Sequence, residues 1–209
     1  MAVCRNTLAR GLSPHPTARE YFERLYAESE DPWNFESSEY ESQKYDQSLR
    51  ALSRQGYENA FEIGCSIGVF TARLAAICAR LLAVDVAEFA IQKAKDRCRA
   101  LSHVHFAVMC LPESYPDDLF DLTVLSEVGY YLRAQQLNEI ADEITTHTVL
   151  NGHLLLVHWL EAIQGCELRG DDVHDHFLAR SEWRLLSNCR TNLFRIDVLE
   201  RESDLACPL

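Results

Sequence analysis

The sequence predicts an α/β protein with a mostly parallel, seven-stranded sheet that ends in an antiparallel hairpin. Short apolar runs alternate with helical patterns between residues 60 and 159, the order of elements found in parallel sheets with helices on both faces. Two further strand patterns then follow each other with only a turn between them. Two helical patterns precede the first apolar run, so we expect them to lie outside the alternating unit.

The leading segment is predicted to be a loose arm followed by a helical cap. Residues 1–16 contain glycine and prolines without hydrophobic periodicity. Residues 17–29 place tyrosine, phenylalanine and leucine along one side of a helix. Ser38 and Glu41 have the spacing of a capping box, which predicts the start of a second helix.

The alternating part is predicted from the lengths and flanks of its apolar runs. The predicted parallel strands cover residues 60–63, 81–84, 103–109, 120–125 and 152–159, and the helices between them cover 71–77, 89–99 and 135–147. Residues 165–172 are expected to be a polar loop. The closing strands are predicted at 183–188 and 194–200, with the turn at 189–192.

The turn after the first strand indicates which ligand the chain binds. Gly64 and Gly68 bracket a turn before a helix, where glycine lets the backbone approach a ligand. Asp85 ends the next strand, where a carboxylate can accept hydrogen bonds from both hydroxyls of a ribose. The spacing lacks the G-x-G-x-x-G pattern of dinucleotide sites. Together with Glu62 it fits E-x-G-x-x-x-G plus a distal acid, which predicts an S-adenosylmethionine (SAM) site with S-adenosylhomocysteine (SAH) as product.

Other cofactor contacts are expected at the ends of the following strands. Residues just after the third strand can flank an adenine ring, although packing at a strand end explains their apolar character equally well. The loop after the fourth strand should face the glycine turn across the crevice. The additional cofactor-binding residues predicted on these grounds are Val86, Met109, Cys110, Leu111 and Ser126.

Aromatic residues of the leading helices have two interpretations. Trp33 and Tyr40 either cover a bound cofactor like a lid or pack the helices onto the edge of the sheet. The sequence leaves both open, and we include both residues among the predicted cofactor contacts.

Composition excludes several classes of protein. The formal charge of −12 over 209 residues argues against a general nucleic-acid surface, which would need a basic patch. The eight cysteines are scattered without a C-x-x-C pair, which favours buried, reduced thiols. No apolar run has the length of a membrane span, and residues 1–16 lack the apolar stretch of a signal peptide. We therefore expect a cytoplasmic protein, with a monomer favoured.

Several short segments along nearly the whole chain carry a family resemblance. They are Asp31-Pro32-Trp33, Tyr40-Glu41, Lys44-Tyr45, the run from Phe61 to Gly68, Ser126-Glu127-Val128 and the run from Val173 to Phe177. Together they resemble the nodulation protein S family. Ser66 stands where many methyltransferases carry a glycine, so the turn departs from their pattern at this position.

The resemblance implies a fold, a reaction and a substrate. It implies a Rossmann-like class I SAM-dependent methyltransferase, in a single domain over residues 1–209 with the arm at 1–16, the cap at 17–55 and the core at 56–209. It also implies N-methylation of the free amine on the non-reducing glucosamine of a deacetylated chitooligosaccharide, in the synthesis of the Nod factor of nodulating bacteria. Methylation of another small amine is the alternative.

Candidate catalytic residues follow from the chemistry of amine methylation. The enzyme must align a neutral amine with the methyl group, and a carboxylate or imidazole that orients the amine and receives its proton suffices. Glu127 is the first candidate, because its loop should face the methyl group, and Tyr130 could contact the sugar. His158 at the end of the fifth strand and His174 are further candidates, although buried histidines often only stabilise a core.

A metal site is not expected. His174 and His176 flank Asp175, but structural zinc sites need more ligands and no companion stands at matching spacing. Substrate contact or orientation of the amine is the preferred interpretation of this segment.

Parts of the sequence are also compatible with two other functions. Residues 64–68 also match G-x-S-x-G, the nucleophile elbow of α/β-hydrolases, with Ser66 as nucleophile and Asp171 and His174 as partners. Only helices precede this elbow, however, and Asp85 would have no role in such an enzyme. A SAM-binding protein without catalytic activity is the third interpretation.

Overall fold

Two leading helices precede a strand–helix alternation in the computed structural model, which describes residues 18–54 and 56–202. The strands are β1 (Ala60–Ile63), β2 (Leu81–Asp85), β3 (Val104–Val108), β4 (Phe120–Ser126), β5 (Thr148–Trp159), β6 (Trp183–Arg190) and β7 (Phe194–Arg201). The α-helices are α1 (Ala18–Glu28), α2 (Glu39–Ala51), α3 (Val69–Leu74), α4 (Glu88–Arg97), α5 (Ala134–His147) and α6 (Gly170–Leu178), and short 3₁₀ helices cover Ala75–Ile77 and Gly129–Tyr131.

The strands form one sheet in the order β3-β2-β1-β4-β5-β7-β6. β1 to β5 pair in parallel, whereas β7 lies antiparallel to both β5 and β6. The predicted parallel sheet with a closing hairpin is confirmed. Strand order reverses between β1 and β4, which is where ligands bind in open sheets of this kind. The register of β6 shifts between Leu185 and Ser187, so the outer strand carries a bulge.

Side chains on alternate strand positions form a hydrophobic core on each face of the sheet. One core contains Tyr45 of α2, Leu52 just after that helix and Phe70 of α3, packed against the face that includes Val124. The other contains Ile140 of α5 and Phe177 of α6, packed against the opposite face with Phe61 and Leu125. Every residue of β1 is buried, as expected for a central parallel strand.

One predicted loop is wrong at its C-terminal end. Residues 165–172 were expected to be irregular, but α6 begins at Gly170. The Arg169 N–H donates to the Asp172 carboxylate at 2.7 Å, which satisfies the start of this helix. A glycine followed by two acids therefore opens a helix here.

The loose arm at 1–16, Cys4 and Cys207 lie outside the described residues, and the division of the chain into cap and core stays a prediction. Six described cysteines have free thiols, but Cys110 is exposed, so burial holds for only part of the set. No helix within 18–54 or 56–202 has the length and apolar character needed to cross a membrane.

Candidate active site

A cavity of about 820 Å³ opens at the C-terminal ends of the central strands. Its lining includes Gly64 after β1, Asp85 at the end of β2, Met109 after β3 and Ser126 at the end of β4. The predicted site residues that line it are Trp33, Tyr40, Gly64, Asp85, Val86, Met109, Cys110, Leu111, Ser126, Glu127 and Tyr130. Parallel strands thus bring most of the candidate residues together, because their carboxyl ends meet at one edge.

The glycine turn packs directly against the loop that follows β4. Gly64 and Gly68 both have φ of +78°, a conformation that favours glycine. A Cβ added at Gly64 would lie 2.2 Å from Val128 Cγ2, and one at Gly68 would lie 2.9 Å from the Ala94 Cα. The two glycines are therefore required by backbone conformation and by close approach.

Asp85 is placed to accept hydrogen bonds from a ligand. One carboxylate oxygen accepts the Ser66 N–H and the other accepts the Ala87 N–H, each at 2.9 Å. Each oxygen keeps a further lone pair, so ribose hydroxyls can still be bound. Burial raises the pKa of Asp85 to about 6, although the hydrogen bonds from backbone N–H groups lower it.

Ser66 connects the glycine turn to the first helix, a contact that the sequence did not predict. Ser66 has φ of +49°, and its hydroxyl lies 2.5 Å from the Tyr26 hydroxyl of α1. Phe22 of the same helix packs edge-on against Tyr131, with ring centroids 5.1 Å apart. The only sequence signal was the row of aromatic residues on one side of α1.

Trp33 and Tyr40 both line the cavity and pack against neighbouring rings. Trp33 stacks on Phe35 with centroids 5.4 Å apart. Tyr40 meets Trp159 edge-on at 5.8 Å, at the β5 side of the site. Tyr40 therefore lies beside the loop that carries Glu127. Both aromatic residues line the cavity and also pack on neighbouring rings, so a lid and a packing role are compatible.

Glu127 is held by three hydrogen-bond donors at the wall of the cavity. Lys44 Nζ lies 2.6 Å from one carboxylate oxygen. The other oxygen accepts the Trp159 N–H at 3.1 Å and the Tyr130 hydroxyl. Glu127 itself has φ of +57°, so the backbone turns sharply where its side chain enters the site. Glu127 and Tyr130, two separate candidates from the sequence, are thus in direct contact.

Lys44 and Glu41 complete this cluster and were not predicted as site residues. Lys44 is only 2% exposed, and its ammonium lies 2.9 Å from a carboxylate oxygen of Glu41. Burial lowers the pKa of Lys44, but the carboxylates of Glu127 and Glu41 outweigh it and the pKa is raised. Burial raises the pKa of Glu41, against the effect of Lys44. The (i, i+3) spacing of Glu41 and Lys44 was the available sequence signal.

Four predicted residues do not line the cavity: Glu62, Gly68, His158 and His174. Glu62 lies on β1 and is 2% exposed, and burial raises its pKa to about 7 in spite of the nearby Thr71 hydroxyl. Gly68 is the N-cap residue of α3 and packs on α4. The prediction that Glu62 and Gly68 contact a cofactor directly is therefore corrected. Both residues lie behind the turn and support it.

His158 and His174 form a buried pair instead of reaching the cavity. His158 Nδ1 lies 3.1 Å from His174 Nε2, and both side chains are fully buried. Burial lowers the pKa of each imidazole below its usual value. Their prediction as groups that touch the substrate is corrected, because each is sealed between β5 and α6.

The segment around His174 does not assemble a metal site. Within 18–54 and 56–202, no group of three or more His, Cys, Asp or Glu side chains converges as metal ligands would. His174 bonds to His158, whereas His176 packs edge-on against Phe177.

The hydrolase interpretation is wrong on geometry. The Ser66 hydroxyl contacts the Tyr26 hydroxyl rather than an imidazole. Asp171 pairs with Arg190 and Arg195 on the surface, and His174 contacts Asp197. Ser66, Asp171 and His174 therefore bond to other residues and do not form a triad with one another.

The sheet order, the glycine turn and the acid that ends β2 define a class I SAM-dependent methyltransferase fold. The chain belongs to the nodulation protein S (NodS) family, because the model of that family matches residues 17–152.

Individual relatives and structures agree with this assignment. Nodulation protein S of Sinorhizobium fredii is 32% identical over 136 residues, which cover 64% of this chain and 63% of the relative. That of Bradyrhizobium diazoefficiens is 40% identical over 105 residues, which cover 50% of each chain. The chain thus aligns with about half to two thirds of these relatives' lengths.

Among solved structures, the N-methyltransferase NodS of Bradyrhizobium japonicum in complex with SAH is 27% identical, with a TM-score of 0.81 over 88% of this chain and 98% of that chain. The magnesium protoporphyrin IX methyltransferase of Synechocystis with bound SAM has a TM-score of 0.68 over 91% of this chain and 100% of that chain. At 13% identity it supports the fold alone.

Proposed function

We propose that this protein is a SAM-dependent N-methyltransferase that methylates the free amine on the non-reducing glucosamine of a deacetylated chitooligosaccharide, in Nod factor synthesis. Membership of the NodS family supports the reaction and the substrate. The structural similarity to an N-methyltransferase solved with SAH supports the cofactor. The observation that carries the proposal within this chain is the Glu41–Lys44–Glu127 cluster at the cavity wall.

The donor side of the cavity fits SAM. Asp85 keeps a free lone pair on each oxygen for ribose hydroxyls, and the turn at Gly64 presents backbone to the cavity. Met109, Cys110 and Leu111 supply apolar contacts suited to an adenine ring. When bound, SAM supplies a methyl group that is already activated by a sulfonium. The chain therefore needs to orient the acceptor rather than activate the donor.

The acceptor side carries excess negative charge. Two carboxylates share the single ammonium of Lys44, so the ionised cluster has a formal charge of −1. An amine that accepts a methyl group becomes positively charged, and a negative cluster in a partly desolvated site stabilises that charge. A hydroxyl acceptor would instead need a strong base. The cluster therefore favours nitrogen as the acceptor atom.

Glu127 is the group that we propose to meet the amine. Lys44, Tyr130 and the Trp159 N–H occupy three of its acceptor positions, and one lone pair stays available on the oxygen bound by Lys44. These three donors fix the direction of the carboxylate. Glu127 therefore orients the neutral amine and stabilises the ammonium that forms, and the released proton can pass to it or to water.

The proposal is tested by methyl transfer from labelled SAM to chitooligosaccharides. Transfer is expected to an oligosaccharide with a free amine on its non-reducing end and not to its fully acetylated counterpart, because an amide nitrogen is a poor nucleophile. Equal labelling of both would contradict the assigned acceptor. Labelling only of simple amines would favour the alternative substrate, and SAH binding without transfer to any amine would favour a protein without catalytic activity.

Glu127→Gln separates acceptor chemistry from cofactor binding. We expect kcat to fall about 100-fold or more, in the range for loss of a positioned acid–base group. The affinity for SAH, measured by calorimetry, should stay close to that of the unchanged protein because Glu127 lies on the acceptor side. Full activity of this variant near pH 7 would remove Glu127 from the mechanism.

A further inference from the structure

The loop that carries Glu127 is held by three consecutive residues of β5. The Glu127 N–H donates to the Val157 carbonyl at 2.8 Å, and the Trp159 N–H donates to the Glu127 carboxylate at 3.1 Å. Between these two, the Gly129 N–H donates to His158 Nε2 at 3.1 Å. Of the three anchors, only that of His158 uses a side chain of β5.

Behind His158 lies a chain of hydrogen bonds that crosses three elements. His158 Nδ1 of β5 lies 3.1 Å from His174 Nε2 of α6, and His174 Nδ1 lies 2.8 Å from a carboxylate oxygen of Asp197 on β7. Arg195 Nε lies 2.9 Å from the same oxygen, and Asn188 donates to the other one. The side chains of His158, His174 and Asp197 are all fully buried.

The tautomer of each imidazole follows from the first link. A backbone N–H can only donate, so His158 Nε2 must be unprotonated and its proton must reside on Nδ1. That proton is directed at His174 Nε2, which must therefore accept. The His174 proton then resides on Nδ1 and faces Asp197, which can only accept as a carboxylate. Every link has one donor and one acceptor.

Protonation states agree with this direction. Burial, the neighbouring His174 and Lys44 together lower the pKa of His158. Burial lowers the pKa of His174 in spite of Asp197. Burial alone would raise the pKa of Asp197, but His174, Asn188 and Arg195 outweigh it and the pKa is lowered. Both imidazoles are thus neutral and Asp197 is ionised near pH 7.

We propose that the His158–His174–Asp197 chain positions the acceptor loop, by fixing His158 as a hydrogen-bond acceptor for the Gly129 N–H. Gly129 lies between Glu127 and Tyr130, so this bond sets the orientation of the segment in which the two side chains meet. None of the three residues lines the cavity, so they act through the loop as positioning residues. The inference rests on the proposed function for its kinetic readout.

Close packing makes the position of Gly129 sensitive to this bond. A Cβ added at Gly129 would lie 2.5 Å from Val173 Cγ1 and 3.0 Å from His158 Nε2. The loop backbone is therefore pressed against α6 and β5, and a lost acceptor leaves a buried N–H without a partner. The three residues of the hydrogen-bond chain, His158, His174 and Asp197, also lie beyond residue 152, where the match to the family model ends.

The test compares two buried histidines of the same strand. His158→Leu removes the acceptor for Gly129, whereas His153→Leu removes a histidine that is 1% exposed and bonded to the Tyr57 hydroxyl at 2.7 Å, away from the cavity. Because a misplacement of about 1 Å costs about 100-fold in rate, kcat should fall about 100-fold in His158→Leu and within about threefold in His153→Leu. The affinity for SAH should change little in either variant.

A conservative variant and a second substitution separate a positioning role of His158 from a folding defect. His158→Gln retains an oxygen that can accept the Gly129 N–H and should recover most of the lost kcat. If His158→Leu does not fold, His174→Leu carries the test, because it leaves the His158 Nδ1 proton without an acceptor. Equal losses of kcat in the His158 and His153 leucine variants, or unchanged kcat in His158→Leu or His174→Leu, would overturn the inference.

Imidazole ¹⁵N chemical shifts provide a readout that does not need activity. Both histidines should be neutral with the proton on Nδ1, and His174→Leu should shift the His158 proton toward Nε2. An Nε2-protonated His158 in the unchanged protein would contradict the inference. If the unchanged protein shows the expected tautomers but transfers no methyl group to any amine, the proposed function is contradicted. The hydrogen-bond chain from His158 to Asp197 is then still supported.

Discussion

The carboxylate of Asp85 joins the end of β2 to the glycine turn. Both oxygens accept a backbone N–H at the turn, and the side chain faces the cavity. The sequence could predict this position because strand ends in parallel sheets converge. It could not predict the pKa, which depends on burial by elements that are distant along the chain.

Replacing Asp85 by Asn should weaken SAH binding and remove the pH dependence of SAH affinity. Loss of the charged acceptor for two hydroxyl groups should raise Kd about 100-fold. In the unchanged protein, the carboxylate with a pKa of about 6 must ionise to bind, so affinity should fall as pH decreases below 6. Calorimetric titrations between pH 5 and 8 test both effects. A similar pH profile in the Asp85→Asn variant would contradict the assignment.

The site residues that the sequence did not predict make contacts between segments that are distant along the chain. Glu41 and Lys44 share a helix, but Glu127, which bonds to Lys44, lies 83 residues after it in the sequence. His158 and His174 were singled out as reactive groups, whereas the fold seals them from the cavity. Sequence reasoning identified residue types suited to chemistry, and only packing decides which of them face a substrate.

At the scale of elements, α1 is attached to the cofactor turn through one hydroxyl pair. Tyr26 of α1 and Ser66 of the turn are 2.5 Å apart, and Ser66 has a backbone conformation that favours glycine. The predicted helix at 17–29 is confirmed as α1, although the sequence did not predict its contact with the turn. Strand and helix alternation was predictable from periodicity, whereas the start of α6 was not, because its glycine and acids are typical of loops.

Tyr26→Phe should loosen α1 without changing the core. The variant removes a hydrogen bond worth about 1 kcal/mol and keeps the ring that packs on Trp33 and Phe89. We expect faster hydrogen exchange in the amides of α1 and a several-fold weaker affinity for SAH. Tyr21→Phe on the same helix is a matched control. Identical exchange in the two variants would show that the Ser66 contact does not hold the helix.

At the scale of the whole molecule, the buried Glu62 makes stability depend on pH. Its folded pKa of about 7 exceeds the unfolded value of 4.5, so the protonated form is favoured by folding. Its contribution to stability is complete below 4.5 and is lost as the pH rises through 7. The buried histidines have lowered pKa values and act in the opposite direction, so the effect must be read from a variant.

Glu62→Gln should therefore become more stable relative to the unchanged protein as pH rises. Between pH 6 and pH 8, the difference in unfolding free energy should grow by about 1.4 kcal/mol, since one pKa unit corresponds to that amount. Urea denaturation at both pH values measures it, with the histidine contributions cancelling in the comparison. A difference that does not change with pH would place the pKa of Glu62 outside this window.

The outermost strand has a consequence for behaviour at high protein concentration. β6 carries a bulge between Leu185 and Ser187, and its Arg184 pairs with Glu200 and Glu202. An irregular, charged edge is a poor template for the strand of a second molecule. The sheet is thereby protected at the β6 edge against edge-to-edge aggregation with a second molecule.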